Sequence, residues 1–303
     1  MPHMLTLIGA PGALSHDHLR AAREALRGLG ADIDAPEWLS EAEAVDQPFQ
    51  SLAAEQAVAA VRAAVGDAPL DLIAQPREGR RKKLLLADMD STIVTSETLD
   101  EIAAFAGLKE QIAVITARSM NGELDFAEAL RARVAMLEGL DADALARTWA
   151  ATELTPGAAE LVGTMRADGA HTVLVSGGFT FFTGRVAEWV GFHEHHANRL
   201  CIAEGRLTGR VAEPILDRDA KLATLKQQAA RLGLPLSEAV TVGDGANDLG
   251  MIQAAGLGVA FRAKPSVAAV ARHRLEHADL RGLLFAQGYR AAEFARHPAP
   301  RPG

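Results

Sequence analysis

From Leu84 onward, short apolar runs alternate with longer stretches that have helical spacing. Four of the apolar runs have the length and composition of buried strands. They are KKLLLAD at 82–88, HTVLVSGG at 171–178, AVTVGDG at 239–245 and GLGVAF at 256–261. Because strands that alternate with helices form parallel sheets covered on both faces, residues 84–290 are predicted to form a doubly wound α/β domain.

A long helical segment interrupts this alternation after the first strand. Residues 97–150 have helical spacing almost throughout, with no apolar run typical of a strand. The segment is too long for a simple crossover between neighbouring parallel strands. We therefore expect an inserted helical cap over about 97–150.

The first 75 residues have a different pattern, with two helices among shorter strands. Ser15 precedes the first helix in a capping position. The predicted order is βαββαβ, which is typical of a ferredoxin-like α+β domain. The segments, in order, are 3–9, 15–31, 31–39, 41–52, 53–66 and 69–75.

Polar segments flank the α/β part on both sides. The sequence PREGRRKK at 76–83 is basic and predicts a solvated linker, not a nucleic-acid site, because the chain as a whole is negative. Residues 291–303, which end in HPAPRPG, predict a disordered tail.

Composition narrows the class of protein. A chain of 303 residues that is 49% hydrophobic can form two domains, each with its own core. Its net charge of -8 argues against nucleic acid or an anionic membrane as a partner. No apolar run approaches the roughly 18 residues of a membrane span, and the N-terminus lacks the features of a signal peptide. We therefore expect a cytoplasmic protein that acts on a small molecule.

The single cysteine agrees with this location. Cys201 excludes an internal disulfide framework and fits a reducing compartment. Its neighbours, RLCIAE, predict a strand, so that a buried structural thiol is expected and not a nucleophile.

Polar residues follow three of the predicted strands directly. In parallel sheets, ligands bind outside the carboxyl ends of the strands. Several carboxylates beside a hydroxyl and an amide would suit Mg²⁺ together with phosphate oxygens, which indicates phosphate chemistry. The residues are Asp88, Asp90, Ser176, Gly177, Asp244, Asn247 and Asp248.

Other ion and phosphate motifs are excluded by their spacing. The chain has no G-x-x-x-x-G-K-[ST] phosphate loop, and Thr92 and Ile93 stand where a calcium loop would need an acidic residue and a glycine. His193, His195 and His196 lie in the polar segment FHEHHAN, for which we predict a surface turn and not a metal site.

Four motifs occur in the same order as in a known superfamily. They are DMDST at 88–92, SGGF at 176–179, Lys221 in DRDAKLATL, and GDGANDLGM at 243–251. In this order they resemble the haloacid dehalogenase superfamily of phosphatases. The segments SETLDEIA, ARSMNGELDF, RVAMLEGL and RGLLFAQGY are most similar to the phosphoserine phosphatases within it. The N-terminal unit resembles, in topology, the amino-acid-binding ACT domain.

The resemblance implies roles for the four aspartates. Asp88 would be the nucleophile that forms an aspartyl phosphate, and Asp90, placed on the same side of an extended chain, would be the acid and base. Mg²⁺ would be bound by the Asp88 side chain, the Asp90 backbone carbonyl and Asp244. Asp248 would lie behind these ligands and orient them.

The resemblance also implies a cradle for the phosphoryl group. Ser176, the Gly177 amide and Lys221 would hold the phosphoryl oxygens, with Lys221 keeping the nucleophile ionised. Asn247 would contact the same group from the fourth motif.

The cap carries the residues expected to select the substrate. Helical spacing places Phe126 and Arg133 on one face and turns Arg131 away from it, so that Arg133 can face the site. Its guanidinium suits a carboxylate, and Glu97 could bind an ammonium group, which together describe an α-amino acid. In the family that this chain resembles, these positions bind phosphoserine, with Met120 and Phe126 as apolar cover.

The resulting hypothesis is hydrolysis of O-phospho-L-serine to serine and phosphate, the last step of serine biosynthesis in the family that the chain resembles. An alternative is a phosphatase or phosphotransferase for another small phosphomonoester. A third is a regulatory amino-acid-binding protein with a vestigial phosphatase core. The N-terminal unit could bind serine, mediate a homodimer or aid folding.

Overall fold

Two β-sheets and a hairpin organise the protein. The computed structural model describes residues 2–295 and 301. Among these residues, none of the helices combines the length and the apolar composition that a membrane span requires.

The N-terminal unit has the predicted order of strands and helices, with two short strands in place of the second. Its antiparallel sheet has the order β2-β4-β1-β5, and β3 pairs with β4. The elements are β1 (His3–Gly9), α1 (His16–Gly28), β2 (Asp32–Ile33), β3 (Glu37–Ser40), β4 (Ala44–Gln50), α2 (Ala54–Val65) and β5 (Leu70–Pro76). Ser15 caps α1 by accepting a hydrogen bond from the His18 amide, as predicted.

Alternation along β1 gives this sheet two covered faces. Leu5 and Leu7 pack in a core with α1 and α2. Ile8, on the opposite face, joins the large core of the α/β part, and Ile73 of β5 does the same. The N-terminal sheet is therefore sandwiched between its own helices and the rest of the protein.

The α/β part contains the predicted parallel sheet, with the strand order β13-β12-β11-β6-β7-β8. Every pair of neighbours in it is parallel. The strands of this part, including the β9-β10 hairpin, are β6 (Leu84–Ala87), β7 (His171–Phe179), β8 (Glu194–Asn198), β9 (Leu200–Ala203), β10 (Arg206–Val211), β11 (Ala239–Gly243), β12 (Leu257–Phe261) and β13 (His273–Leu275). Leu84, Leu85 and Leu86 of β6 are fully buried in its centre.

Four helices fill the segment predicted as a cap, and further helices cover the sheet. The cap helices are α3 (Thr98–Ala104), α4 (Lys109–Met120), α5 (Phe126–Ala135) and α6 (Asp143–Ala151). The others are α7 (Ala158–Ala167), α8 (Thr180–Val190), α9 (Arg218–Arg231), α10 (Leu249–Ala254), α11 (Pro265–Ala268) and α12 (Gly282–Ala286). The predicted fold class, a parallel α/β sheet with a helical insertion, is confirmed.

The histidine-rich segment is a strand, so the prediction of a surface turn there is wrong. Glu194–Asn198 pairs with β7 as the outer strand of the sheet. The side chains of an outer strand remain partly exposed and are often polar, which removes the apolar pattern on which the prediction depended. Cys201 does lie in a strand, but that strand belongs to a hairpin and leaves the thiol half-buried, not buried.

Six of the eight residues in 76–83 are exposed, as a solvated linker requires, but Arg80 and Lys82 are not. Arg80 and Lys82 are 9% and 8% exposed, because both side chains bind groups that are distant in sequence. The predicted disordered tail also begins too early, since Ala291–Glu293 forms a 3₁₀ turn and Phe294 packs against Phe285. The rest of the predicted tail, apart from Ala295 and Arg301, lies outside the described residues.

Arg80 joins the N-terminal sheet to the end of α12. Its guanidinium makes a bidentate pair with Asp46, with nitrogen–oxygen distances of 2.6 and 2.9 Å, and donates to the Ala286 carbonyl. Nearby, the buried carboxylate of Asp71 accepts hydrogen bonds from the amides that follow β13, at residues 276–278. Charge-assisted hydrogen bonds therefore fix the two sheets to each other.

We expect Arg80→Ala to lower the free energy of unfolding by roughly 3–5 kcal/mol, because it leaves the Asp46 carboxylate buried without its counter-charge. Urea denaturation measures this change. Arg20→Ala is the matched control, since Arg20 pairs with Asp17 at an exposed site and should cost at most about 1 kcal/mol. Equal effects of the two substitutions would contradict the structural role of Arg80.

Candidate active site

The predicted site residues converge at the carboxyl ends of three adjacent strands. Asp88 follows β6, Ser176 lies near the end of β7, and Asp244 follows β11. The sheet places β6 between the other two strands. Residues separated by more than 150 positions in sequence therefore share one rim, as expected for a parallel sheet.

Lys221 lies between two buried aspartates. Its ammonium is 2.8 Å from Asp88 Oδ1 and 2.6 Å from Asp248 Oδ1, and all three side chains are at most 4% exposed. Burial raises the pKa of Asp88 and the charge of Asp248 raises it further, while Lys221 opposes both. For Lys221, burial alone would lower the pKa, but the two carboxylates outweigh it and the pKa is raised.

The chain stays extended at Asp88 and Asp90 and then turns sharply at Ser91. The Val94 amide donates to the Met89 carbonyl at 2.9 Å and closes a turn over Met89–Ile93. Ser91, at its apex, has a φ of 54°, a left-handed conformation that is uncommon for serine. Asp88 and Asp90 themselves have extended backbone, with φ of -69° and -65°, and both line one cavity, as the two-residue spacing predicts.

Asp90 is held by the start of the cap. Its Oδ1 accepts a hydrogen bond of 3.0 Å from the Thr98 amide in the first turn of α3, and its Oδ2 lies 3.5 Å from Ser176 Oγ. Burial, with a further contribution from the charge of Glu97, raises the pKa of Asp90 to about 7. Such a group can exchange a proton near neutral pH.

A bulge at the end of β7 exposes the backbone around Gly177. The register with β8 shifts between Val175 and Phe179. Within the bulge, Ser176 Oγ accepts from the Gly178 amide at 2.9 Å. Asn198, which the sequence analysis did not single out, donates to the Gly177 carbonyl at 2.8 Å. Its side chain fixes the bulge that shapes this wall of the cavity.

Asp244 is buried, and nearby cations compensate its charge only in part. Both of its carboxylate oxygens are buried without a hydrogen-bond partner among the described residues, and the nearest ammonium, of Lys264, is 3.6 Å away. Burial raises the pKa of Asp244, and the charges of Glu97 and then Asp248 raise it further. Asp88, Asp244 and Asp248 each offer an oxygen within 4.8 Å of the others. Three carboxylates in this arrangement fit a hard divalent cation.

Arg133 and Arg131 point in opposite directions, as their helical spacing predicts. Arg131 is exposed and pairs with Glu213 at 2.8 Å. Arg133 is 6% exposed and lines the same cavity as Asp88 and Asp90. A buried guanidinium thus faces the two aspartates from the cap.

The remaining predicted residues complete the cavity. Glu97 lies at the start of α3 and accepts a hydrogen bond of 2.6 Å from Ser91 Oγ. Met120 and Phe126 bring apolar surface from the end of α4 and the start of α5. The cavity also contains residues that sequence reasoning missed. The full lining is Asp88, Asp90, Glu97, Leu99, Met120, Phe126, Leu130, Arg133, Ser176, Gly177, Gly178, Phe179 and Asn247.

Two adjacent glycines let the cap approach the strand end. A Cβ on Gly177 would collide with the Phe126 ring, and a Cβ on Gly178 would lie 2.7 Å from Asp90 Oδ2 and 3.1 Å from Ser176 Oγ. The doubled glycine in SGGF was therefore a signal of close packing that applied to both residues.

Comparison with known proteins agrees with this geometry. A family model described as haloacid dehalogenase-like hydrolase matches residues 85–253, more than half of the chain. The chain belongs to this family. The match covers all four motif regions of the cavity.

Named relatives of the hydrolase are phosphoserine phosphatases. The protein of that name from Streptomyces coelicolor is 46% identical over 211 residues, which cover 70% of this chain and 51% of the relative. The one from Streptococcus thermophilus is 44% identical over 199 residues, which cover 66% of this chain and 93% of the relative. The chain thus spans about half the length of the first relative and nearly all of the second.

A solved structure has a similar fold. It is a phospho-aspartyl intermediate analogue of phosphoserine phosphatase, 40% identical, with a TM-score of 0.65. The match covers 67% of this chain and 98% of that chain.

We expect Gly178→Ala to lower the turnover of p-nitrophenyl phosphate about 10²-fold, because the new methyl group would displace Asp90 and Ser176 from their positions. Steady-state kinetics and the melting temperature should be measured together. Gly28→Ala is the matched control, since a Cβ at Gly28 meets no atom within 4 Å. A Gly178→Ala enzyme as active as this control would show that the close contact is unimportant.

Proposed function

We propose that this hydrolase is a Mg²⁺-dependent phosphoserine phosphatase that converts O-phospho-L-serine to L-serine and phosphate. The observation that carries the proposal is a single cavity in which Asp88 and Asp90 face Arg133 and Glu97. The first pair supplies a nucleophile and a proton carrier. The second pair matches the carboxylate and ammonium groups of an amino acid.

Asp88 is the proposed nucleophile. A carboxylate oxygen attacks phosphorus and forms an aspartyl phosphate, which divides one difficult displacement into two easier ones. Lys221 contacts Asp88 Oδ1 and the Met89 amide donates to the same oxygen. The orientation of the carboxylate is thus fixed, and Oδ2 is the oxygen left for attack.

Asp90 is the proposed acid and base. In the first half-reaction it gives a proton to the leaving serine oxygen as the phosphorus–oxygen bond breaks. In the second it takes a proton from the water that hydrolyses the aspartyl phosphate. The Thr98 amide holds one of its oxygens, so that the other carries the proton.

The transferred group is held by donors on three elements. We assign this role to the Ser176 hydroxyl, the Gly177 amide, the Lys221 ammonium and the Asn247 side chain. The Asn247 side chain lines the cavity, and its Nδ2 group is the part that can donate to a phosphoryl oxygen. Donors fixed in advance stabilise the charge that develops on the phosphoryl oxygens.

Mg²⁺ is the proposed cofactor. Asp88, the Asp90 carbonyl and Asp244 would hold the ion, with Asp248 behind them, where it pairs with Lys221 and accepts from the Gly245 amide. When bound, the ion would neutralise charge on the phosphoryl oxygens. Neither oxygen of Asp244 has a hydrogen-bond partner among the described residues, which supports this assignment, because a buried carboxylate needs polar or charged partners.

The proposed setting is the cytoplasm, with a small-molecule substrate as the partner. A single, half-buried cysteine suits a reducing compartment. A homodimer and amino-acid binding by residues 1–75 stay predictions.

The wild-type enzyme should release phosphate from O-phospho-L-serine faster than from other small phosphomonoesters, and a chelator should abolish the release. Asp88→Asn should remove turnover without unfolding, because an amide is a poor nucleophile and a poor metal ligand. A malachite-green assay on a substrate panel measures both effects. Preference for another phosphomonoester, or substantial activity in Asp88→Asn, would refute the proposal.

Asp90→Asn should lower phosphoserine turnover by roughly 10² to 10⁴, the usual contribution of a general acid or base. The loss should be smaller in the first half-reaction with p-nitrophenyl phosphate, whose leaving group needs no proton. Burst kinetics separate that step from hydrolysis of the intermediate. Equal losses for both leaving groups in the first step would leave Asp90 with a structural role only.

Arg133→Ala should reduce kcat/KM for phosphoserine by about 30- to several-thousand-fold, since it removes the counter-charge of the substrate carboxylate at a buried site. Phosphoethanolamine lacks that carboxylate and should be affected far less. Glu97→Gln should penalise both substrates, because both carry the ammonium group. Equal slowing of both substrates by Arg133→Ala would assign Arg133 to the stability of the cap.

A further inference from the structure

Three cap helices each contribute one side chain to a buried chain of hydrogen bonds that ends at the cavity. Asp100 comes from α3, Thr116 from α4 and Arg133 from α5. Their exposures are 7%, 4% and 6%. Arg133 Nη1 lies 2.9 Å from Thr116 Oγ1, which lies 2.7 Å from Asp100 Oδ1.

The chemistry of the groups fixes the direction of this chain. A guanidinium has no acceptor, so Arg133 must donate to the Thr116 oxygen. The single hydroxyl proton of Thr116 is then free to point to Asp100. The Thr116 hydroxyl thus accepts one hydrogen bond from a cation and donates one to a carboxylate. The two bonds together stabilise one orientation of the hydroxyl and of the guanidinium that binds it.

Two nitrogens of the Arg133 guanidinium bind groups of the cap, and the third is left for the cavity. Nε donates to the Ala129 carbonyl at 3.2 Å, and Nη1 donates to Thr116. Nη2 makes no hydrogen bond to any other residue in the part of the chain that the structure describes. Arg133 therefore keeps a donor group for a ligand while its other nitrogens are held by protein.

Such fixing matters because arginine has a long and flexible side chain. Ordering a side chain of this kind during binding costs conformational entropy and weakens binding. Asp100 also supplies a negative charge near the buried Arg133 guanidinium, to which it is connected through the Thr116 hydroxyl. The cation can then remain in the cavity without using Asp90 or Glu97 as its partner.

We propose that Thr116 and Asp100 are positioning residues for specificity, which hold the Arg133 guanidinium in the orientation that receives the substrate carboxylate. The inference rests on the proposed function, because it assigns Arg133 to that carboxylate. Neither residue lines the cavity itself. Their effect on the substrate passes through Arg133.

The test uses the full-length enzyme and the ratio of kcat/KM for phosphoserine to that for phosphoethanolamine. Where phosphoethanolamine turns over too slowly, its inhibition constant replaces kcat/KM. Thr116→Val keeps the shape of the side chain and removes the hydroxyl, and should lower the ratio about 10-fold through a higher KM for phosphoserine. Thr116→Ser retains the hydroxyl and should keep the ratio within about twofold of wild type.

Thr148→Val is the matched control. Thr148 lies in the cap helix α6, is 3% exposed, and its hydroxyl has no hydrogen-bond partner among the described residues. The ratio should be unchanged in this variant, whatever happens to its melting temperature. Asp100→Asn, which keeps an acceptor but removes the charge, should lower the ratio in the same direction as Thr116→Val and serves if the latter does not fold.

Two results would overturn the inference. One is a loss in Thr116→Val and Asp100→Asn that is equal for both substrates, which would show general damage to the cap. The other is an unchanged ratio in both variants while Arg133→Ala abolishes it, in which case the proposed function stands and only the positioning role fails. If Arg133→Ala itself leaves the ratio unchanged, the assignment of the carboxylate to Arg133 fails first.

Discussion

The contact of one buried ammonium with two buried carboxylates underlies the site. Lys221 lies within 2.8 Å of Asp88 and Asp248, and none of the three is more than 4% exposed. Charges removed from water must be compensated within the protein. Lys221 compensates only part of the negative charge, because Asp244 lies in the same cluster with both oxygens unpartnered. The rim of the sheet is thus preorganised for a cation and a phosphoryl group. The strand order brings the carboxylates together at this rim and so creates the negative charge that a cation would compensate.

Buried charges that are only partly compensated occur both in the cap and at the sheet, but with opposite sign. At the sheet, positive charge is in deficit, which favours a metal ion. In the cap, Arg133 is a buried cation whose partners leave part of it free, and Glu97 supplies a nearby negative charge. Both groups line one cavity among mostly buried side chains, where electrostatic interactions are stronger than at the surface. Selection of the substrate and reaction at phosphorus can therefore occur within one small space.

The N-terminal sheet is part of this rigid frame. Asp71 accepts from the amides after β13, and Arg80 bonds to the end of α12. β13 lies two strands from β11, which carries Asp244 at its end. Sequence reasoning described residues 76–83 as solvent-exposed because they are basic, which holds for six of the eight but not for Arg80 and Lys82. A basic side chain can be buried when it binds a carboxylate or a carbonyl that is distant in sequence. The local sequence pattern does not predict such a contact.

The sequence by itself determined the alternation of strands and helices, the polar residues at the strand ends and the opposite directions of Arg131 and Arg133. These features depend on residues a few positions apart, whose geometry is set by helix and strand periodicity. Only the tertiary structure decided that the chain turns at Ser91, that Asn198 holds the Gly177 bulge, and that Thr116 connects Arg133 to Asp100. The contacts of Asn198 and Thr116 join separate elements, so they depend on how the elements pack and not on the spacing within any one of them. The turn at Ser91 is local, but it gives a serine a positive φ, which the residue type does not favour.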